Sequence, residues 1–488
     1  MLNIIQSFVN WSTFISILYF CTFILACVII FLERKNPSAT LAWIMILFLL
    51  PGIGIFFYFM FSQNISRQRI FRLTKDEEQI IHAALENQTD SMAKGNFEFS
   101  TAEAEEWKDM IRLHQTYAGA YYTQDNRLSI MTDGNHMLDT LIRDIENATD
   151  TINVMFYIVK NDIAGRRLID ALTKKAREGV AVRFLIDAVG GRQIWDSVLS
   201  EYKKAGGQHA FFFKPKLKWM NMKLNYRNHR KLVVIDGEIG YIGGFNIGRE
   251  YLGMKKKFGN WRDTHLRVLG SCVQDINARF ILDWRFASKE HIVVSQAYYS
   301  PVIQAGNTGI QIVSSGPDSQ REEVKRGFMK MITSARKNVY IQTPYFVPDS
   351  SILESLKMAA QSGVDVKIMI PCMPDHMFVY WATYFYVGQL LNSGVQIYIY
   401  DNGFLHAKTM VVDGQVGTVG TANFDRRSFT LNFESNAFIY DAAEAYKLEA
   451  IFESDITQCH ELTKALYRKR SLLIKFKESI ARLLSDLL

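Results

Sequence analysis

Cysteine is scarce, with five scattered residues in 488, no Cys-x-x-Cys and no spacing of a disulfide framework. Two of them, Cys21 and Cys27, lie in apolar stretches. A disulfide-stapled scaffold is excluded, and a reduced compartment is indicated for the bulk of the chain. His-Glu-x-x-His and paired Cys/His spacings are also missing, so no metal and no other cofactor is expected. Neither sign of charge is in large excess: 56 Lys plus Arg against 49 Asp plus Glu leave +7. That balance suits an anionic membrane or a nucleic acid and requires neither. A basic start ahead of one short apolar run is absent as well, which argues against a cleaved signal peptide.

What is present begins with long hydrophobic runs. Residues from about Trp11 to Leu32, and again from about Ala39 to Phe61, are almost wholly apolar. Each run is long enough to cross a hydrocarbon core of roughly 30 Å. Pro51, Gly52 and Gly54 allow a kink or a re-entrant bend in the second. Two spans would put the amino terminus and the rest of the chain on one side. Arg67, Arg69, Arg72 and Lys75 follow the second run, against Arg34 and Lys35 in the loop, so the positive-inside rule favours a cytoplasmic catalytic part of a two-span cell-membrane protein.

Two short segments farther on carry the same chemistry. His229-Arg230-Lys231 leads through Leu-Val-Val-Ile to Asp236, and His406-Ala407-Lys408 leads through Thr-Met-Val-Val to Asp413. Each is followed at the same distance by Gly-x-x-Asn, Gly243 to Asn246 and Gly420 to Asn423. At average residue usage a His-x-Lys-x4-Asp spacing arises at roughly one starting position in ten thousand, so a second copy with a matching Asn is not accidental. The apolar, β-branched residues predict strands, and Asp236-Gly237 and Asp413-Gly414 predict two-residue hairpin turns. Alternation along a strand puts His and Lys on one face and Arg230 or Ala407 on the other. Gly243, Gly244, Gly420 and Thr421 are small enough to bring backbone close to a ligand. Each copy offers an imidazole, a cation and an amide on one wall, and two facing copies would surround an anion. A phosphodiester suits that set: one imidazole attacks phosphorus while the other protonates the leaving oxygen.

These segments are similar to the duplicated HKD motifs of the phospholipase D superfamily. With the run GTANFDRRSFTLNFESN (420–436) and the apolar amino terminus, the chain resembles the bacterial cardiolipin synthase family within it, over essentially the whole length. The resemblance implies a membrane-bound phosphatidyltransferase that condenses two molecules of an anionic phospholipid, phosphatidylglycerol, through a phosphatidyl-histidine. It implies His229 as nucleophile, His406 as acid and then base, and Lys231, Lys408, Asn246 and Asn423 as phosphate ligands, with Asp236 and Asp413 completing the catalytic motifs. It also implies a carboxylate downstream of each motif to orient its own His, Glu434 for His406 and Asp263 for His229. Gly244 departs from the pattern, which often has Ser there, so one hydroxyl is missing on that side. A phospholipase D-type phosphodiesterase is the alternative at the same site. Nucleic acid is not an expected partner, because the basic residues cluster with Met and Trp instead of along a groove of stacking aromatics. The pattern does not fix an oligomeric state.

The remaining sequence organises around this duplication. A strand near 127–131, a helix at 135–148 and a strand at 151–157 are matched by a strand at 309–313, a helix at about 320–335 and a strand at 338–345. Each unit continues through a helix to a Gly-Val-x-Val strand, at 179–188 and 363–371, and closes with the His-bearing hairpin. The expected fold class is α/β, two phospholipase D-like repeats related by pseudo-twofold symmetry and preceded by a two-helix transmembrane hairpin. The expected divisions are a hairpin at 1–61, a connector at 62–115 with a helix at 75–86 and a mobile stretch near 89–100, repeats at 116–295 and 296–460, and a basic amphipathic helix at 461–488. The segment 214–227, with Lys around Trp219, Met220 and Met222, suits either a membrane interface or a solvated loop. At the carboxyl end Leu473, Phe476, Ile480, Leu483 and Leu487 form a stripe among basic residues. Core packing is its commonest fate, with a membrane surface or another subunit as alternatives.

Overall fold

The computed structural model describes residues 2–32, 37–61, 70–71, 73–214, 225–290, 292 and 304–484. By its contacts the chain forms two units, one built on residues 1–65 and the other on 66–214 and 227–485. In the first unit a single helix, Leu2–Leu32, contains a stretch, Trp11–Ile30, of mean hydropathy 2.6. Phe14, Phe20 and Phe23 on it are more than half exposed, which an aqueous surface would disfavour. The second apolar run is not one span-length helix but two, Pro37–Leu49 and Ile53–Phe61. Pro51 cannot donate to the preceding turn, and Gly52 takes a φ of 85°, so the helix breaks there. A Cβ at Gly54 would lie 2.8 Å from the Ile46 carbonyl oxygen, so glycine lets the two pieces approach this closely.

The second unit is built on one 16-stranded sheet. At its centre Tyr122–Met131 lies antiparallel to Thr308–Ser315, with Tyr122 opposite Gln311. Outward from this seam the first half runs His265–Leu269, Ile239–Gly243, Leu232–Ile235, Thr151–Phe156, Ala181–Asp187 and Gln208–Phe212. The second half runs Asn432–Tyr440, Val416–Gly420, Thr409–Val412, Asn338–Gln342, Asp365–Pro371 and Gln396–Tyr400. The two orders correspond strand for strand, as the duplication in the sequence requires. Helices Gly134–Asn147 and Ile163–Arg177 in the first half match Glu323–Ser334 and Ser350–Gln361 in the second. Their apolar faces, Leu138, Leu141 and Leu168 on one side and Phe328, Met331 and Leu356 on the other, fill separate cores for the two halves. Each such side chain, fully buried, stabilises by about 1.5–3 kcal/mol.

Residues expected to form a connector are part of the second core instead. The helix of this stretch runs Lys75–Ala93, and Trp107, Met110 and Ile111 are buried among Phe328 and Val313. Glu77 is held by Arg285 at 2.6 Å, and Phe97 and Phe99, expected in a mobile stretch, pack against the core. Charge along this segment hides a few well-spaced apolar residues, which decide its fate. Within the 214–227 segment, residues 215–224, with Trp219, Met220 and Met222, lie outside the described residues.

The carboxyl-terminal helix, Leu472–Leu484, also departs from the core-packing expectation. It meets helix Met377–Leu391 through its small and charged residues: Ala481 is fully buried, Lys477 lies over Trp381 and Arg482 over Phe385. Its apolar stripe faces outward, with Leu473 and Phe476 each 62% exposed and Leu483 67%. Leu487 lies outside the described residues.

Both hairpin turns form as expected. Asp236 and Gly237 have φ of 53° and 70°, and Asp413 and Gly414 have 58° and 65°. Positive φ at both central residues marks the type I′ turn, whose twist matches that of the strands. This places the motif Asp at the far end of the hairpin, roughly 17 Å from Lys and 23 Å from His at strand rise. The Asp236 carboxylate accepts the N–H of Thr149, Asp150 and Thr151 at 2.8–2.9 Å. Asp413 accepts those of Arg336, Lys337 and Asn338 at 2.7–2.9 Å. Asp236 and Asp413 are therefore corrected from catalytic to structural: each ties its turn to the start of the neighbouring antiparallel strand. Burial alone would raise the Asp236 pKa, but the backbone donors hold it below the usual value. Asp236→Ala should lower unfolding free energy by about 1–3 kcal/mol, read as a lower urea midpoint, with turnover of the folded enzyme within about threefold of the parent. A hundredfold loss of turnover in fully folded enzyme would return Asp236 to the chemistry.

Candidate active site

The site forms where the His-bearing segment of each half lies along a strand of the other half. Arg227–Asn228 runs parallel to Asn432–Phe433, and Phe404–Leu405 runs parallel to Trp261–Arg262. The His229 amide donates to the Phe433 carbonyl at 2.9 Å and the His406 amide to that of Arg262 at 2.7 Å. One residue beyond each acceptor stands a carboxylate. His229 Nδ1 lies 2.9 Å from Glu434 Oε2, and His406 Nδ1 lies 2.6 Å from Asp263 Oδ2. The expected pairing, Glu434 with His406 and Asp263 with His229, is thus corrected: each carboxylate orients the imidazole of the opposite repeat. Sequence proximity suggested the pairing within a repeat, and only the crossed strands reveal the exchange.

With Nδ1 committed to a carboxylate, Nε2 is the imidazole atom left for chemistry. Glu434 is held by Thr421 Oγ1 at 2.5 Å and by Asn432 at 3.1 Å. Asp263 accepts the Thr264 amide at 2.8 Å. It occupies the space where a side chain on Gly244 would stand, since a Cβ there would lie 2.0 Å from Asp263 Oδ1. The missing hydroxyl at Gly244 thus makes room for the carboxylate on that side.

Both Lys side chains are buried and turn back over their own hairpin. Lys231 Nζ donates to the His229 carbonyl at 2.6 Å, and Lys408 Nζ donates to that of His406. Burial, first, then Lys408, lowers Lys231 to about 7 against the pull of Glu434. Burial likewise brings Lys408 down to about 8. His229 falls to about 4, by burial and then by Lys231, despite Glu434. His406 also falls to about 4, by burial and by Lys408, despite Asp263. Lys408 acts on His229 and Lys231 on His406, so the two half-sites share one electrostatic environment. An anion between them would restore charge to the Lys and His groups, because it lowers the free energy of each protonated form.

The two Asn are placed at the site with different partners. Asn246 Oδ1 accepts the Ile158 amide at 3.0 Å, whereas Asn423 Nδ2 donates to Asp425 at 3.3 Å. Among the described residues Asn423 Oδ1 is buried with no hydrogen-bond partner. Sequence reasoning missed several residues here. Tyr157 stacks edge-on 4.9 Å from His229, with Lys231 Nζ 5.5 Å from its ring centre, and its counterpart Tyr345 hydrogen-bonds Asp375. Both Tyr follow equivalent strands, a match that aligning the repeats could have found. Arg230 does point away from the cleft, as alternation required, and it braces the far side of the site. It grips Asp283 through Nη1 at 2.9 and 3.0 Å, and its Nε donates to the Glu434 carbonyl at 3.1 Å. Among the described residues no group of three or more His, Cys, Asp or Glu is arranged to hold a metal ion.

Comparison with known proteins gives a consistent picture. The family description "Cardiolipin synthase, PLD-like domain" matches residues 141–260 and 328–456, and "Phospholipase D-nuclease N-terminal" matches 20–63. A cardiolipin synthase of Oceanobacillus iheyensis is 49% identical over 95% of this chain and 96% of its own length. One of Staphylococcus aureus is 47% identical over 100% and 98%. Among solved structures, a phosphatidylserine synthase of Haemophilus influenzae aligns with a TM-score of 0.56 at 15% identity, over 78% of this chain and 97% of that one. That last likeness is one of fold.

The crossed pairing makes a specific prediction. Glu434→Gln should shift the ¹⁵N imidazole resonances of His229 while leaving those of His406 in place, and Asp263→Asn should do the reverse. Each should slow turnover by roughly 10²–10⁴; shifts confined to the His of the same repeat would refute the pairing. A second prediction concerns acid. Both imidazoles titrate near 4 when folded, below their ordinary 6.5. Between these values the unfolded chain binds more protons, so stability falls as pH drops through that window. In the His229→Gln/His406→Gln double variant that slope should flatten, as measured by denaturant unfolding of the empty enzyme from pH 7 to 4. An unchanged slope would show that these groups are not buried neutral.

Proposed function

The chain belongs to the cardiolipin synthase family of phospholipase D-like proteins, and we propose on that footing that it condenses two phosphatidylglycerol molecules into cardiolipin and glycerol. The observation that carries the mechanism is the pair of imidazoles held in one tautomer by crossed carboxylates. One Nε2 attacks the phosphorus of the donor lipid. The phosphorus–oxygen bond to the headgroup glycerol breaks, and the second imidazole supplies the proton that leaves with it. In the second step that imidazole takes the proton from a terminal hydroxyl of the acceptor lipid. The new oxygen forms its bond to phosphorus as the phosphorus–nitrogen bond breaks. One phosphodiester is exchanged for another, so no external energy source is needed.

The roles of the remaining groups follow from charge. Lys231, Lys408 and the amides of Asn246 and Asn423 hold the non-bridging oxygens, and the buried cations gain most as negative charge develops there. The substrate anion itself raises the imidazole that must act as acid, which is otherwise neutral in the empty cleft. Burial of both His and both Lys supports exclusion of water, which an alcohol acceptor requires.

A membrane setting is supported by the apolar helix Leu2–Leu32, the shorter apolar helix that follows it, and the exposed stripe of Leu472–Leu484 among basic residues. We infer that the broken pair Pro37–Leu49 and Ile53–Phe61 together makes a second crossing of the cell membrane after Leu2–Leu32, and that the excess of Arg and Lys after it puts the catalytic part on the cytoplasmic side. The test is product analysis with purified full-length protein in vesicles containing phosphatidylglycerol labelled in the headgroup. Cardiolipin and free labelled glycerol in equal amounts are expected; phosphatidic acid as the main lipid product would establish a hydrolase instead.

A further inference from the structure

The exchange between repeats continues one layer behind the carboxylates. Each carboxylate that orients an imidazole also has its main-chain carbonyl held by a buried arginine. Arg230 Nε donates to the Glu434 carbonyl and to Ser435 Oγ, both at 3.1 Å. Arg262 Nη1 donates to the Asp263 carbonyl, and to Thr264 Oγ1 at 3.0 Å. The motif duplication does not account for these two side chains. Ala407 stands where a counterpart of Arg230 would be, and Phe433 where one of Arg262 would be. Both arginines therefore come from the first repeat.

What is duplicated is the aspartate that grips each one. Asp283 lies on the helix Cys272–Ser288, which follows Asp263 along the chain, and Asp455 lies on the helix Ala442–Ile456, which follows Glu434. Asp283 accepts Arg230 Nη1 at 2.9 and 3.0 Å. Asp455 accepts Arg262 Nε and Nη2, both at 2.8 Å. Asp283 of the first repeat thus backs Glu434 of the second, and Asp455 of the second backs Asp263 of the first.

Each aspartate is also tied to its motif segment. Asn228 Nδ2 donates to Asp283 at 3.2 Å, so both chain neighbours of His229 are bound to one carboxylate. Gln342 Nε2 donates to Asp455 at 2.7 Å, and its Oε1 accepts from Thr409 Oγ1, next to Lys408, at 3.1 Å. The neighbours of His406, Leu405 and Ala407, have apolar side chains that cannot make such bonds. That segment is held instead by Arg262, whose carbonyl accepts the His406 amide. A buried ion pair contributes little net stability compared with apolar packing. A planar guanidinium does fix direction, because its forked donors hold a carboxylate on one edge and a carbonyl on another.

We propose that Asp283 and Asp455 are positioning residues for the two imidazoles. Through Arg230 and Arg262 they set where Glu434 and Asp263 stand, and hence the Nδ1 hydrogen bond that presents each Nε2 to the reaction centre. This rests on the reading of two acting imidazoles in crossed pairs. Both aspartates act from behind the imidazoles, so their loss should slow the chemical step and leave lipid binding unchanged.

Asp455 is the side chain to change first, because it is 14% exposed whereas Asp283 is wholly buried. Full-length Asp455→Asn, Asp455→Glu and Asp263→Asn enzymes are compared with the parent by the ¹⁵N imidazole resonances of the empty enzyme and by cardiolipin formation in phosphatidylglycerol vesicles. In Asp455→Asn the His406 resonances should move and those of His229 stay, with kcat lowered roughly tenfold to a hundredfold and KM within about twofold. Asp455→Glu, which keeps the carboxylate, should recover part of kcat. Arg262→Lys keeps a cation beside Asp455 but cannot also span to the Asp263 carbonyl, so it should move the same resonances even if Asp455→Asn does not fold. Lower thermal stability with unmoved His406 resonances and unchanged kcat, in either variant, would make the ion pair merely structural. If Asp263→Asn moved the His406 resonances and the other two did not, the crossed pairing would stand and Asp455 alone would lose its role. If Asp263→Asn left them in place as well, the crossed pairing itself would fall.

Discussion

The structure turns on the exchange of carboxylates between repeats. A neutral imidazole has two nitrogens, and only a fixed partner on one of them decides which is presented to a substrate. Here Glu434 fixes His229 and Asp263 fixes His406, so neither repeat holds its own motif imidazole in a defined state. The parallel pairing of each His-bearing segment with the opposite half makes this exchange geometrically unavoidable. It also accounts for the continuous sheet across the seam, since separation of the halves by even a small angle would break both pairs at once. A duplicated chain has in this way become a single enzyme.

Much of this was legible in the sequence because it is local. Alternation in Leu232–Ile235 and Thr409–Val412, the Asp-Gly turns and the matched order of helices and strands follow from periodicity and turn chemistry alone. The two His and two Lys followed from the same local pattern. What escaped is nonlocal. The Asp-Gly turns already put Asp236 and Asp413 at the far end of their hairpins, but spacing could not tell that their carboxylates meet backbone amides of the neighbouring strand. Nor could it tell that Glu434 serves His229, because the answer depends on strands that cross between halves.

Two further misreadings have a common cause. The segment around Trp107 is charged on average, yet Trp107, Met110 and Ile111 are spaced to bury one face in the second core. The helix Leu472–Leu484 is apolar along one stripe, yet it packs by Ala481 and leaves that stripe outside. In both cases composition indicated one environment and the available neighbour decided another. For the carboxyl-terminal helix, the neighbour Met377–Leu391 is apolar on all sides, so the contact could form without the stripe, which stays exposed.

The central claim is that one oriented imidazole displaces the headgroup at phosphorus, the acceptor oxygen then displaces that imidazole, and the second imidazole moves the protons. The stereochemistry at that atom tests it most directly. Phosphatidylglycerol made chiral at phosphorus with oxygen isotopes is converted to cardiolipin, and the configuration of the transferred centre is read by ³¹P NMR. Two successive in-line displacements predict retention. Inversion would mean a single direct displacement, with no phosphatidyl-histidine between, and would contradict the account.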